Sequence, residues 1–306
     1  MRELVLILPG LFLPDDAVRA FGSWRFAAPR PLKGGWRFAF ARGLGREDIA
    51  LASPASVVAA SADLPSDAWL ATPLHFVAGL TTLHLPAEGV LRLSVLEAEE
   101  LAQQFARTFG TDGLALHPLA DGSLLLCGLP DCAAETVDPA LLFSQALSSA
   151  QPSGDGAASL RALMTEIEMW LHDLPLNHRR ESAGLPAIRS LWLWGGGAAS
   201  PFSQASAAGQ AAVPAAPVDS HWVDSNLSVY AEDPWSRACC RLVGIDCAPL
   251  DLSAEFFAHL ASELECGSLS KLTLIAADRA VSLCPPDRWR WWRPRRDLRS
   301  ALKEAA

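Results

Sequence analysis

The chain has 306 residues, half of them hydrophobic and 19% charged, with a formal net charge of −9. That composition supports a large buried core and excludes a chain disordered throughout. The acidic balance argues against broad coating of nucleic acid, and no run reaches the roughly 18 apolar residues that span a bilayer.

Leu4–Leu8 is a continuous apolar run, the pattern of a buried parallel strand. It is short, an acid sits beside the lone Arg2, and no small-residue cleavage site follows. A first strand therefore fits better than a secretory leader, and a cytoplasmic protein is expected. Residues 10–65 read as irregular, anchored by Trp24 and Trp36. Ala68–Ala71 and Leu80–Leu85 read as short strands, with Val90–Leu93 pairing across the Pro86–Gly89 turn. Leu96–Phe109 has helical spacing and ends at Gly110. Leu114–His117 and Ser123–Cys127 predict a hairpin about Asp121-Gly122.

Residues 148–157 have linker composition and set a boundary between an N-terminal α+β region (1–150) and a C-terminal α/β region (151–306). Leu160, Leu163, Met164, Ile167, Trp170, Leu171 and Leu174 then share one helical face, and Pro175 ends or kinks the helix. Ile188–Trp194 reads as a strand running into Gly195-Gly196-Gly197, with Leu191 and Trp192 buried on opposite faces of a central strand. The Ala/Ser/Gln/Pro-rich stretch 198–217 predicts a loop. Val229–Ala231 reads as a strand, and Asp233-Pro234 opens a helix to Val243. Leu252–Leu264 is a further helix, capped by Ser253 or Asp251, and Lys271–Ala276 with Ala280–Leu283 is a final hairpin. Together these elements predict an α/β protein with a mixed sheet and flanking helices.

The stretch Glu166-Ile-Glu-Met-Trp-Leu-His-Asp-Leu-Pro-Leu-Asn-His-Arg-Arg-Glu181, then Gly184-Leu-Pro186 and Ser190-Leu-Trp-Leu-Trp-Gly-Gly-Gly197, resembles the signature of the RpfE-type regulatory proteins of bacteria. Thr72-Pro-Leu-His-Phe76, Glu232-Asp-Pro234 and the Trp-rich end Arg288–Arg296 agree in order. A local stretch also resembles archaeal-type cofactor-independent phosphoglycerate mutases. The resemblance implies a degenerate alkaline-phosphatase/phosphoglycerate-mutase-like scaffold and a regulatory role. A working mutase of that class would use two divalent ions and a Ser nucleophile. Three positions depart from the pattern: Leu174 stands for His, Arg189 for Asn and Thr72 for Asp.

Candidate chemistry has two readings at each position. His172-Asp173 is an acid/base pair or a structural helix end. Asn177, Arg179 and Arg180 grip a phosphate or carboxylate, or anchor loop carbonyls. Gly195, Gly196 and Gly197 let backbone N–H groups approach a phosphate, or serve a positive-φ turn. The seven histidines show no ligand spacing and the seven cysteines no paired set, so neither metal nor cofactor is predicted. A divalent metal enters only under the alternative of a metal-dependent phosphomutase or phosphatase acting on a small phosphorylated acid. Asp15, Asp16, His172, Asp173, His221 and Asp224 would be its candidates. No catalytic residue is assigned, and enzyme activity is left open. The segment Arg288, Trp289, Arg290, Trp291, Trp292, Arg293, Arg295, Arg296 is cationic and aromatic inside an acidic chain. It is either a packed terminus, with Trp289 or Trp292 buried, or a contact surface for a protein partner or, less so, nucleic acid. The favoured function is regulatory or partner-binding, with no membrane association.

Overall fold

The computed structural model describes residues 2–8, 15–32, 34–79, 83–86, 88–129, 132–142, 147–196, 226–276 and 278–303. The first third of the chain holds β1 (Arg2–Ile7), α1 (Asp15–Ala20), β2 (Arg30–Pro31), α2 (Gly35–Gly43), α3 (Glu47–Leu51), α4 (Pro54–Ala60), β3 (Trp69–Leu74), β4 (Val77–Ala78) and β5 (Leu83–His84). The middle holds α5 (Val95–Phe109), β6 (Ala115–Pro118), β7 (Leu124–Cys127), α6 (Ala157–His172), α7 (Pro175–Ser182) and β8 (Ser190–Trp194). The last third holds β9 (Asn226–Tyr230), α8 (Pro234–Val243), β10 (Cys247–Ala248), α9 (Ala254–Cys266), β11 (Leu269–Ile275), β12 (Arg279–Leu283) and α10 (Leu298–Lys303). The fold is α/β, with a mixed sheet and flanking helices.

Two compact units result, one from Met1–Leu51 with Phe202–Ala306 and one from Ala52–Pro201. In the first, six strands run in the order β10-β9-β1-β11-β12-β2. β1 is parallel to both β9 and β11, whereas β12 is antiparallel to β11 and to β2. Leu4, Val5, Leu6 and Ile7 are all buried, as a strand covered on both faces requires. Leu4 and Leu6 join Phe21, Trp24, Phe257 and Leu264 in one core cluster. Trp36 meets the Trp235 ring edge-on at 5.5 Å. The buried Arg37 guanidinium lies 4.4 Å from the Trp36 ring centroid.

The second unit carries the antiparallel sheet β6-β7-β3-β8 and the small β4-β5 ladder. Helix α5 opens on a capping box, with Ser94 Oγ accepting from Glu97 N and Glu97 accepting from Ser94 N. Trp170 of α6 sets its ring edge against Phe105 and Phe109 of α5, each at 5.7 Å.

Several elements differ from the expected ones. The stretch read as irregular holds helices α1 to α4, because Ser53 caps Pro54 and Gly34 adopts the left-handed conformation before α2. Val90 makes an isolated bridge to Leu74 rather than a strand pairing across the turn. The unit boundaries fall near 51/52 and 201/202, not at 150/151. β3 lies before that linker and β8 after it, yet they pair from Leu70↔Trp194 to Leu74↔Ser190. β8 is an edge strand of its sheet, although all five of its residues are buried. Residues 198–217 lie outside the described residues.

Candidate functional site

The Thr72–Phe76, Glu166–Pro186 and Ser190–Gly196 parts of the sequence resemblance lie in the second unit, whereas Glu232–Pro234 and Arg288–Arg296 belong to the first. The β3–β8 ladder sets Thr72 opposite Trp192. The Trp194 indole N–H donates to Thr72 Oγ1 at 2.8 Å, and the Trp192 indole N–H donates to Val137 O at 2.9 Å. His75 Nδ1 lies 2.8 Å from Ala187 O, and Arg189 N donates to Leu74 O.

Pro175 does more than stop α6. It takes the first position of α7, where its missing N–H costs nothing. That step turns Asn177 inward. Its Nδ2 donates to Leu171 O at 2.7 Å and to Ile188 O at 2.8 Å, and its Oδ1 accepts from Ile188 N at 2.7 Å. Asn177 is 4% exposed and both amide donors are spent on its own fold. Arg180 is buried as well. Its Nε donates to Pro186 O at 2.9 Å and its Nη1 to Glu97 Oε1 at 2.5 Å. Burial opposes ionisation of Glu97, but the Ser94 bonds and Arg180 outweigh it and hold the carboxyl below its ordinary range. Arg179 is exposed and pairs with Glu100. His172 and Asp173 are exposed at the end of α6. The structure therefore joins Asn177 and Arg180 to the 184–190 loop and leaves His172, Asp173 and Arg179 on the surface.

Gly195 has φ +66°, its N–H donates to Thr136 Oγ1 at 3.1 Å, and its carbonyl accepts from Ala55 N at 2.9 Å. A Cβ at Gly196 would stand 2.3 Å from Trp69 Cδ2. These two glycines make room for packing. Gly197 lies outside the described residues. At the opposite end of β8, beside Ser190, burial raises the Glu168 carboxyl above its ordinary range. The Ser190 hydroxyl opposes this only in part, since its Oγ has no partner in full hydrogen-bond geometry.

Among the described residues, no three His, Cys, Asp or Glu side chains converge to hold a metal ion. Asp15 is paired with Arg299 at 2.7 Å. The side chain of Asp16, and His221 and Asp224 entirely, lie outside the described residues. The described donors do not form a site for a pair of divalent ions. All seven cysteines are free, with Cys127, Cys239 and Cys240 buried.

The Arg/Trp segment departs from a packed terminus. Trp289, Trp291 and Trp292 are 72%, 77% and 66% exposed, so neither Trp289 nor Trp292 is buried as expected. The buried residue is Asp287, which sequence reading missed as an anchor. Its carboxylate accepts from Cys284 N at 2.9 Å, Arg290 Nη1 at 2.8 Å and Arg293 Nη1 at 2.9 Å. Arg25 Nη1 donates to Arg293 O at 2.6 Å. An acid three residues after Cys284, with Pro285 at the first position, was the available signal for such a capped turn. The knot draws Arg290 and Arg293 inward and leaves the indoles outward. Arg288 lies 5.4 Å from the Trp289 ring centroid and pairs with Glu265 at 2.9 Å. Arg295 and Arg296 are exposed and form no ion pair among the described residues. No described helix is long and apolar enough to cross a membrane.

No family model matches the chain. Over 108 residues it is 30% identical to the probable 2,3-bisphosphoglycerate-independent phosphoglycerate mutase of Geobacter sulfurreducens. That stretch is 35% of this chain and 27% of the relative, so the match spans about a quarter of the relative's length. Among solved structures, the cofactor-independent phosphoglycerate mutase of Thermoplasma acidophilum is 12% identical, with TM-score 0.37 over 100% of this chain and 96% of that one. The PH0037 protein of Pyrococcus horikoshii is 11% identical, with TM-score 0.38 over 92% of this chain and 86% of that one. The chain thus has weak homology to cofactor-independent phosphoglycerate mutases across about a third of its length.

Proposed function

We propose that this chain is a regulatory, partner-binding protein of the RpfE type, working in the cytoplasm without a cofactor on a scaffold kin to the mutases. One observation carries the reading: three tryptophans stand exposed on a rigid turn whose free arginines, Arg295 and Arg296, face solvent. Trp and Arg dominate the energetics of protein interfaces. The spent polar atoms of Asn177 and Gly195 support the same reading, because they serve packing and are not available to grip a phosphate. The test is cross-linking in the native host with the parent chain and with a Trp289→Ala/Trp291→Ala/Trp292→Ala variant. A partner captured by the parent and lost by the variant is expected. Identical capture by both would end the reading.

A second reading rests on the 108-residue match to a mutase and makes the chain a metal-dependent phosphomutase or phosphatase acting on a small phosphorylated acid. A phosphoglycerate assay with added manganese tests it. We expect no turnover above the Asp173→Ala variant; turnover that this substitution abolishes would favour the enzyme.

A further inference from the structure

We infer that the turn at 288–296 binds an acidic protein segment in which carboxylates alternate with apolar side chains. This rests on the partner-binding reading and names the chemistry of the partner. The three indoles leave roughly 400–500 Å² of aromatic surface in water, within the range of patches that mark interaction sites. Side-chain mobility does not explain it, because the segment is held from beneath by the buried Asp287 and by the Arg25 bond to the Arg293 carbonyl. The site is therefore preorganised, which lowers the ordering cost of binding.

Charge fixes the sign of the partner. Asp287 is shared by Arg290 and Arg293, and Asp297 is turned to Ser300 N at the start of α10. Arg295 and Arg296 keep their charge, on a chain that is otherwise acidic. An anion is attracted here, but a long polyanion would also meet the net charge of −9 carried by the chain as a whole. A protein segment can place carboxylates at Arg295 and Arg296 and neutral apolar groups elsewhere. Ring geometry points the same way. Trp291 and Trp292 meet at 84°, centroids 6.1 Å apart, which is not a parallel platform for successive bases. Crossed rings make a notch suited to a branched aliphatic side chain.

The experiment is fluorescence anisotropy with a short labelled peptide in which Glu and Asp alternate with Leu. A Gly/Ser peptide, an oligothymidylate of equal length and phosphatidylglycerol vesicles serve as competing probes. Saturable binding of the acidic peptide is expected, weakened about tenfold or more in the triple Trp→Ala variant, as for a central aromatic anchor. It should weaken similarly in Arg295→Glu/Arg296→Glu, whose side chains are exposed and outside the Asp287 knot, so the fold is kept; far-UV circular dichroism checks this. Binding no tighter than that of the Gly/Ser peptide, or equal binding by both variants, overturns the inference. So does preference for the oligonucleotide or the vesicles. If those results coincide with Trp-dependent cross-linking in cells, the partner-binding reading stands and only the acidic-segment chemistry fails.

Discussion

Replacing Asn177 with Ala removes the clamp that joins α6, α7 and the strand entry at Ile188. Three hydrogen bonds of 2.7–2.8 Å vanish, and Leu171 O, Ile188 O and Ile188 N lose their Asn177 partner in a site that is 4% exposed. At about 1 kcal/mol net per bond, plus the cost of buried groups left unmade, the loss is about 3–5 kcal/mol. Domains of this kind are stable by only about 5–15 kcal/mol. Urea unfolding followed by tryptophan fluorescence would read this as a midpoint lower by about 2 M, for a slope near 2 kcal/mol/M. Asn177→Asp should cost more, because a carboxylate oxygen would then face two carbonyls. Inorganic phosphate should leave the parent midpoint where it is. A midpoint shift under about 0.5 M at unchanged slope, or phosphate protection of the parent that Asn177→Ala abolishes, would refute the structural role and restore a ligand grip.

Gly196→Ala should cost about 1–3 kcal/mol, as overpacking against the buried Trp69 does, and lower the thermal midpoint by several degrees; an unchanged midpoint would show that the turn yields freely. Glu168 carries a carboxyl pKa raised by burial, so its contribution is present when protonated and is lost as pH rises through the folded value. Glu168→Gln should accordingly be more stable than the parent at neutral pH, with the gain fading toward about pH 4; a gain independent of pH would exclude this cause. Cys266 is exposed and its thiol pKa is lowered by its bond to Ser268, whereas burial raises that of Cys239. A disulfide reagent should therefore react first at Cys266, and a fast phase that survives Cys266→Ser would contradict the assignment.

Periodicity made the local elements legible. The apolar face from Leu160 to Leu171 is α6, and the Ser253 cap is where α9 begins. Helices α2 and α4 are hard to see because Gly and Pro resemble helix breakers, whereas Gly34, Gly35 and Pro54 here mark helix starts. The division into units escaped for a different reason. A cut at a linker assumes that neighbours in sequence pack together, and the pairing of β3 with β8 is visible only in space. The same limit hid the role of Asn177, since an amide that binds two carbonyls has the same letter as one that binds phosphate. At Trp289 to Trp292 the composition announced an anomaly, but burial depended on Asp287 taking the interior position.

The placement of β1 between β9 and β11 has a consequence for how the protein is made. β1 is synthesised, with its four buried apolar residues Leu4 to Ile7, before either of the strands that pair with it. Its partner β9 begins only at Asn226, so at about 5–20 residues per second the strand waits roughly 10–45 s. All of Ala52–Pro201 is synthesised in that interval and can close its own antiparallel sheet first. Translation thereby favours one order of assembly: the unit Ala52–Pro201 can mature early, and the unit holding β1 is completed only when β11 and β12 arrive.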